Sequence, residues 1–284
     1  MELAAKKKGK LVIKPFKEDF VSYLSQKTKI VALASVDNMV GIVRNLKKVV
    51  KEANRVASNV FVIVDGTQGI LHLPISMKNT GVDAFFFSAH KIFGPFGVGA
   101  LWVKKSVMES RAYSNLSPYM KGGRSWDLVT PDSVRYKTGY EKEESGTKNV
   151  SGIAGLGSAI DLLGKLQFKQ ISFYEQALKK YFLSKLKLIN GVTIYSSHSS
   201  KIPIISFNLS NRDAYEVADF LDNNLVAAKA GVLCVPLLPS CLKSSAVVRI
   251  SLTVYNTFEE IDRVIDLLQR FSKQQESDLF PVKK

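Results

Sequence analysis

A lysine that follows a short apolar run is the residue of this chain best placed for covalent chemistry. Lys91 closes the tetrapeptide Ser-Ala-His-Lys at 88–91, which lies between the apolar run 84–87 and the glycine-rich segment 94–99. Burial at the end of a strand disfavours the protonated ammonium, and a lysine without its proton is a nucleophile that can form a Schiff base. Such a tetrapeptide alone is more often a polar loop, so the hypothesis needs a second group.

A carboxylate supplies that second group. Another apolar run, 60–64, ends in Asp65, and Gln68 follows three residues later. An aspartate at this point could also be an ordinary turn residue. However, ligands of α/β sheets bind at the carboxyl ends of the strands, which is where we expect both Asp65 and Lys91. The conjunction therefore favours a cofactor site.

Pyridoxal phosphate is the cofactor whose chemistry needs this set of groups. Asp65 would keep the pyridine nitrogen protonated, and Gln68 would reach the ring hydroxyl. Ser88 and His90 would hold phosphate oxygens, although His90 alone could be a structural histidine. We predict no metal site.

Strand-like and helix-like segments alternate along the first half of the chain. We predict strands at 10–14, 30–35, 59–64, 84–87, 98–103, 192–196, 202–209 and 247–253. We predict helices at 18–25, 43–57, 150–166, 171–188, 214–223 and 257–272. The glycines of the helix at 150–166 would let it pack close to a neighbour. Strands alternating with helices indicate a parallel sheet with crossover connections, so residues 1–165 form the predicted large domain and 166–284 a small α+β domain.

The composition, 46% hydrophobic and 23% charged over 284 residues, is typical of a globular protein. The N-terminal residues lack the apolar core of a signal peptide, and no apolar run approaches the length of a membrane span. Two cysteines, Cys234 and Cys241, are too few for a disulfide framework. We therefore expect a cytoplasmic protein without a membrane partner.

The net charge of +15 raises the alternative of a nucleic-acid-binding module. The lysines are scattered, however, and no basic segment is interleaved with aromatic residues. The pattern favours a solvated lysine-rich surface and does not favour a nucleic acid partner. Attraction to an acidic protein partner stays open.

The motifs at 65–68 and 88–99, in this order, resemble those of cysteine desulfurases of the Suf/NifS-like group within the class V aminotransferase family. The similarity runs from about Leu11 to about Phe271. It implies the α/β fold type I of pyridoxal phosphate enzymes, with a mainly parallel sheet in the large domain and a small α+β C-terminal domain. It also implies that Lys91 binds the cofactor and removes the substrate's Cα proton.

The resemblance extends to a second group of residues. Cys234 matches the loop cysteine that attacks the substrate sulfur, and Arg249 matches an arginine that binds the substrate carboxylate in a bidentate manner. Asn38 matches an asparagine at the same carboxylate. From the residues alone, Cys234 could be an inert small hydrophobe and Arg249 an ordinary strand-edge arginine. Cys241 matches no motif and is interpreted as structural.

Several features depart from the family pattern. Lys229 stands where the family usually has arginine, and Val232 and Leu233 stand where it has a polar pair, which removes donors that would favour a thiolate. The family also carries an N-terminal stretch, before the residues matching Leu11, with a phosphate-binding turn and a residue that stacks on the pyridine ring. We expect this chain to begin after both, which would weaken cofactor binding.

The resemblance implies that the chain converts L-cysteine to L-alanine and leaves a persulfide on Cys234. The sulfur would pass to an acceptor or scaffold protein for iron–sulfur clusters or thio-cofactors. Thr147, in a segment similar to the family's Glu-x-Gly-Thr-x-Asn, would reach the cofactor phosphate of a second subunit and so implies a homodimer. The alternatives are another class V reaction, such as transamination or selenocysteine lyase chemistry, or a truncated non-catalytic homologue.

Overall fold

The computed structural model describes residues 9–13, 20–196, 200–235, 237 and 241–273. The chain divides into two compact units. The first, here called the lysine unit because it contains Lys91, comprises Thr28–Ser35 and Asn45–Leu166. The second, the cysteine unit with Cys234, comprises Met1–Lys27, Val36–Arg44 and Gln167–Lys284. The domain division at residue 165 stays a prediction.

A four-stranded sheet forms the centre of the lysine unit. Its strands are β1 (Ile30–Ala34), β2 (Phe61–Asp65), β3 (Ala84–Ser88) and β4 (Gly99–Val103), in the order β1-β2-β3-β4. The first three strands are parallel, and β4 runs antiparallel to β3. The segment between β3 and β4 is too short for a crossover connection, which takes about a dozen residues or more. The predicted mainly parallel sheet is therefore confirmed, with an antiparallel edge strand.

Helices and a hairpin complete the lysine unit. The helices are α1 (Leu46–Val56), α2 (Met77–Thr80), α3 (Lys105–Met108), α4 (Arg111–Ser114) and α5 (Val150–Leu166). Single 3₁₀ turns lie at Ala89–Ile92 and Gly139–Glu143, and the hairpin consists of β5 (Trp126–Val129) and β6 (Val134–Tyr136). Helix α1 begins where the Asn45 side chain accepts a hydrogen bond from the backbone N–H of Lys48, and it buries Val49 and Ala53 at the predicted helical spacing.

The glycines of α5 allow the close packing that the sequence predicted. A Cβ atom on Gly152 would lie 2.3 Å from a methyl group of Val98, and one on Gly155 would lie 2.8 Å from the ring of Pro95. Any larger residue would therefore push α5 away from this segment. Because Pro95 and Val98 follow Lys91 closely in the chain, α5 supports the turn that carries the lysine.

Two predictions near the beginning of the chain need correction. Residues 10–13 form no strand, and Lys14 lies outside the described residues. The apolar side chains Leu11, Val12 and Ile13 are about half exposed, so this apolar run has no packed face to form against. The predicted helix at 18–25 is a single 3₁₀ turn, Phe20–Tyr23, and residues 18 and 19 lie outside the described residues.

The cysteine unit has an antiparallel sheet covered by helices. Its strands are β7 (Val192–Ile194), β8 (Ile204–Leu209), β9 (Lys229–Gly231) and β10 (Val247–Ser251), in the order β7-β8-β10-β9. Its helices are α6 (Phe168–Leu186), α7 (Ala214–Asn223) and α8 (Phe258–Lys273). Their core includes the fully buried Phe182, Phe207, Leu221 and Leu268. The sequence did not predict β9, because three residues are too few to show alternation.

Among the described residues, no helix combines the length and the apolar character that crossing a lipid bilayer requires.

The stability of the cysteine unit is expected to depend on a buried lysine in α6. Lys179 is 4% exposed and donates a 2.8 Å hydrogen bond to the carbonyl of Ser200. Burial lowers its pKa from 10.5 to about 8. The folded protein therefore loses this proton at a lower pH than the unfolded chain. Between these two values the unfolded chain binds more protons, so stability rises with pH.

This pH dependence can be isolated by comparison with Lys179→Met. From pH 8 to pH 10.5 we expect the unfolding free energy of the wild type to rise relative to the variant, by on the order of 1–3 kcal/mol. Urea unfolding of both proteins at several pH values measures this difference. A difference that stays constant with pH would contradict the assignment to Lys179.

Candidate active site

Lys91 is held in a tight turn directly after β3. The turn Ala89–Ile92 buries Ala89 and Ile92, while Lys91 between them is half-buried. The backbone N–H of Ala89 donates to the carbonyl of Val98 at 2.9 Å, and that of Gly94 donates to Ala89 at 3.0 Å. Two buried neighbours and two backbone hydrogen bonds therefore fix the position of the Lys91 backbone.

Asp65 ends the neighbouring strand β2. Asp65 lies beside Phe86 in the parallel register of β2 and β3, and Ser88 is two residues beyond Phe86. Because side chains alternate along a strand, Asp65 and Ser88 face the same side of the sheet. The Oδ1 atom of Asp65 accepts a 2.8 Å hydrogen bond from the backbone N–H of Thr67, which fixes the half-buried carboxylate.

The turn after Asp65 carries Gln68. Gly66, which directly follows Asp65, lies so close to Phe85 that a Cβ atom on this glycine would fall 1.8 Å from the phenylalanine ring. The backbone N–H of Gly66 also donates to the carbonyl of Phe86 at 2.8 Å, which ties the turn to β3. Gln68 is half-buried in this turn, and so it follows Asp65 at the carboxyl edge of the sheet.

His90 is exposed and has an aromatic neighbour that the sequence did not predict. Its ring stacks on Phe96 with the centroids 5.2 Å apart and the planes 12° from parallel. Phe96 is itself 83% exposed, so the pair forms a surface beside the lysine turn. The stack orients the imidazole. Phe96 could have been suspected from its place in the glycine-rich segment, but the sequence does not show the contact.

Thr147 lies in an exposed loop before α5, at a distance along the chain from the other cofactor residues. The loop ends at Asn149, whose Oδ1 atom accepts a 3.0 Å hydrogen bond from the backbone N–H of Gly152 in the first turn of α5. The role of Thr147 stays a prediction.

The buried Lys142 stabilises the chain just before the Thr147 loop through hydrogen bonds. Lys142 is 2% exposed, and its Nζ atom donates to the carbonyls of Tyr113 and Leu116 at 2.7 and 3.0 Å. The same ammonium lies 3.9 Å from the centroid of the Tyr113 ring. Burial, together with the hydrogen bond and charge of Glu143, raises the pKa of Tyr113 to about 12. The cluster therefore fixes the turn from which the Thr147 loop leaves.

The donor set at this edge of the sheet fits pyridoxal phosphate. A carboxylate suits a protonated pyridine nitrogen, an amide suits a ring hydroxyl, and an amine can bond to an aldehyde. A hydroxyl and an imidazole suit phosphate oxygens. The structure carries these groups at or directly after the carboxyl ends of β2 and β3, on Asp65, Gln68, Ser88, His90 and Lys91.

The second group of predicted residues lies in the cysteine unit. Cys234 follows β9 in a turn closed by the hydrogen bond from the N–H of Val235 to the carbonyl of Val232, at 2.8 Å. The cysteine is a free thiol and is exposed, whereas Leu233 before it is only 3% exposed. Cys241 is also free and exposed. The thiol of Cys234 is thus accessible to a reactant.

Asn38 connects the cysteine turn to Arg249. Its side-chain Nδ2 donates a 2.8 Å hydrogen bond to the carbonyl of Leu233. Its own backbone carbonyl accepts a 2.8 Å hydrogen bond from Arg249. The structure therefore brings Asn38 and Arg249 together with the residue that precedes Cys234, whereas their role at a substrate carboxylate stays a prediction.

Arg249 lies on β10, with Ser206 of β8 and Lys229 of β9 as its cross-strand neighbours. Its Nε is buried and has no hydrogen-bond partner among the described residues. Burial lowers the pKa of the Arg249 guanidinium, and the nearby Cys234 opposes this effect. A buried N–H without a partner is costly, so this guanidinium is suited to bind an anion. Lys229, exposed beside it, adds positive charge.

Comparison with known proteins identifies the family and several relatives. The sequence pattern of the family described as aminotransferase class V matches residues 3–264. A cysteine desulfurase of Yersinia pseudotuberculosis is 33% identical over 256 residues, which cover 90% of this chain and 61% of that protein. A cysteine desulfurase of Escherichia coli is 33% identical over 260 residues, which cover 90% of this chain and 61% of that protein. The chain thus spans about three fifths of the length of these relatives.

Solved structures show the same fold. The cysteine desulfurase CsdA of Escherichia coli superimposes with a TM-score of 0.87 at 24% identity, covering 95% of this chain and 67% of that one. The cysteine desulfurase of Thermococcus onnurineus superimposes with a TM-score of 0.87 at 24% identity, covering 96% and 68%. The predicted fold type I architecture is therefore confirmed. The family match covers nearly the whole chain, and the chain belongs to the class V aminotransferases.

Proposed function

We propose that this chain acts as a cysteine desulfurase, which converts L-cysteine to L-alanine and keeps the sulfur as a persulfide on Cys234. The observation that carries the proposal is that an exposed free thiol lies in the turn that Asn38 links to Arg249, a partly buried arginine whose buried Nε has no partner in the described part of the chain. Such a pair can bind an amino acid carboxylate and present a nucleophile to the same molecule.

The lysine unit would hold pyridoxal phosphate through the residues described above. Asp65 holds the proton on the pyridine nitrogen, Gln68 contacts the ring hydroxyl, and Ser88 and His90 bind the phosphate. Lys91 bonds to the cofactor through Nζ and, when free, takes the proton from the substrate Cα. When bound, pyridoxal phosphate supplies an aldehyde for amines and a ring that accepts electrons.

The cysteine unit would orient the substrate. Arg249 binds the carboxylate with its guanidinium, whose Nη1 donates to the carbonyl of Asn38 and whose Nε has no hydrogen-bond partner among the described residues. The Nδ2 atom of Asn38 donates one hydrogen to Leu233 and retains a second hydrogen for the same carboxylate. Binding energy from these groups fixes the position of the substrate sulfur relative to the thiol.

The sulfur transfer balances without an external oxidant. The thiolate of Cys234 attacks the sulfur of the substrate, and a sulfur–sulfur bond forms as the bond between the substrate's Cβ and its sulfur breaks. The electron pair of the broken bond stays with Cβ, which takes a proton, so that L-alanine leaves. Cys234 retains the transferred sulfur as a persulfide.

Two features support the predicted assembly and partners. Thr147 lies in an exposed loop and so could reach the cofactor phosphate of a second copy, in a homodimer. Cys234 is exposed, so a sulfur acceptor or scaffold protein for iron–sulfur clusters or thio-cofactors could approach the persulfide.

Two free thiols suit a reducing compartment, and we propose the cytoplasm. We further propose 1–165 as the cofactor domain and 166–284 as the small domain.

The proposal is tested by turnover of L-cysteine in the presence of pyridoxal phosphate and a thiol reductant. We expect equal amounts of sulfide and L-alanine, because the thiol reductant is oxidised to a disulfide as it releases the persulfide sulfur as sulfide and restores the Cys234 thiol. No α-keto acid is needed, since the amino group leaves with L-alanine. Lys91→Ala is the matched negative control. Amino-group transfer that requires an α-keto acid would indicate an aminotransferase, and turnover of L-selenocysteine alone would indicate a lyase for that substrate. No turnover of any of them would overturn the enzymatic proposal.

A further inference from the structure

The turn that carries Cys234 is anchored by a neighbouring residue whose role no comparison assigns. We propose that Leu233 is a positioning residue: its buried side chain and its hydrogen-bonded carbonyl hold Cys234 exposed in the turn that Asn38 links to Arg249. This inference rests on the proposed function, because it gives the anchored turn a catalytic purpose.

The side chain of Leu233 is the first part of the anchor. Leu233 is 3% exposed and forms a buried cluster with Met39, at 4%, and Val247, at 0%. Four partly buried residues pack around this cluster: Val40, Tyr195, Val235 and Leu242. Val232, the preceding residue, is 39% exposed. Of these two apolar residues, only Leu233 therefore fixes the turn through its side chain.

The wall of the cluster that contains Met39 is itself rigid. The Oδ1 atom of Asp37 accepts hydrogen bonds from the backbone N–H groups of Met39 and Val40, at 3.0 and 2.7 Å. The carbonyl of Met39 accepts a hydrogen bond from the hydroxyl of Ser206 on β8. Since both ends of the Met39 backbone are held, the apolar surface that receives Leu233 is preformed.

The carbonyl of Leu233 is the second part of the anchor. Asn38 donates to it from Nδ2 at 2.8 Å, and Arg249 donates to the carbonyl of Asn38 at 2.8 Å. The two hydrogen bonds link the cysteine turn to β10 through a single residue. Any displacement of the turn would break the bond to Asn38 and expose the Leu233 side chain to water.

The backbone conformation shows what the anchor must hold. Leu233 and Cys234 have positive φ angles of 52° and 63°. The left-handed region is unfavourable for residues with a Cβ atom, and consecutive examples persist only where the surrounding structure imposes them. Without the buried leucine, the turn is expected to relax and to move the thiol away from its position beside Arg249.

The expected consequence is a loss of turnover with little loss of substrate binding. The side chain of Leu233 packs against Met39 and Val247, and only its backbone carbonyl, which the substitution keeps, contacts Asn38 of the predicted carboxylate site. We therefore expect the substitution to act mainly on kcat. A thiol that must find its position in each cycle reacts more slowly than one that is held there. At positions 232 and 233, where the family has a polar pair, this chain therefore lacks side-chain hydrogen-bond donors, and the buried Leu233 side chain instead fixes the turn that carries Cys234.

The test compares Leu233→Ala and Leu233→Met with the matched control Val232→Ala. We expect Leu233→Ala to accelerate hydrogen exchange at the backbone amides of Cys234 and Val235 at least tenfold. We expect its kcat on L-cysteine to fall about 10- to 100-fold, with KM changed less than twofold. Leu233→Met, which keeps an apolar side chain of similar volume, should restore both properties to within about threefold.

The melting temperature of each variant shows whether the substitution unfolds the protein or changes only the turn. Leu233→Met, which keeps the packing, should melt at the wild-type temperature. The inference is overturned if exchange at Cys234 and Val235 is unchanged in Leu233→Ala, or if Val232→Ala has the same effect. It is also overturned if kcat is unchanged, or if KM rises while kcat does not fall. If the wild type has no desulfurase activity, the proposed function fails, and the exchange rates still decide whether Leu233 anchors the turn.

Discussion

Replacement of Lys91 with alanine is expected to abolish the visible absorption that pyridoxal phosphate acquires when it bonds to a lysine, and to lower turnover of L-cysteine by at least about 10³-fold. Lys91 is half-buried in a turn fixed by two buried neighbours, directly after the strand next to Asp65. No other described lysine has this position at the carboxyl edge of the sheet.

The measurement is an absorption spectrum of each purified protein after incubation with pyridoxal phosphate and removal of excess cofactor. Borohydride reduction followed by mass spectrometry of the peptide that contains Lys91 locates the bond. Lys105→Ala is the matched control, because that side chain is 87% exposed and forms a surface ion pair with Glu109, which contributes little to stability. If Lys91→Ala keeps the spectrum and the reduced adduct, another amine binds the cofactor and the site is misassigned.

Cys234→Ala is expected to lower sulfide release from L-cysteine by at least about 10²-fold while the cofactor spectrum stays unchanged. The reason is that sulfur transfer needs a thiolate, and Cys234 is the free, exposed thiol that lies near the Arg249 guanidinium. Asp65 and Lys91 are untouched by the substitution, so cofactor binding and sulfur transfer separate experimentally.

Cys241→Ala serves as the control for this substitution, since Cys241 is equally free and exposed but matches no motif. We expect it to retain wild-type activity. Mass spectrometry of the wild type after a single turnover without reductant should show one added sulfur atom on the peptide that contains Cys234. Full activity of Cys234→Ala, or the added sulfur on Cys241 instead, would exclude the proposed nucleophile.

Much of the lysine unit was predictable because its signals are local. The helical spacing in α1 reflects burial of Val49 and Ala53, and the apolar run before Asp65 became β2. Asp65 and Ser88 could be placed on one edge because parallel strands bring their carboxyl ends together. The direction of β4 was decided instead by the short connection after Ser88, which the alternation of elements does not reveal.

The short or irregular elements could not be predicted from the sequence, because they depend on contacts with distant segments. Strand β9 has three residues, including Gly231, and exists because it pairs with β10. The apolar run at Leu11, Val12 and Ile13 has strand-like composition, yet these residues form no strand, and about half of each side chain stays exposed because no described strand pairs with them. In both cases the outcome depends on a partner segment rather than on the residues themselves.

The amino-acid sequence by itself determined which groups are present for chemistry and in what order: a carboxylate and an amine at successive strand ends, then a thiol and a guanidinium 15 residues apart. Tertiary structure alone decided that Asn38 hydrogen-bonds the carbonyl of Leu233, 195 residues away along the chain. It also decided that Leu233 is buried against Met39 and Val247. From the sequence, this leucine only showed that a polar donor of the family is absent. Chemical identity is local, whereas burial depends on which distant segments the fold brings together.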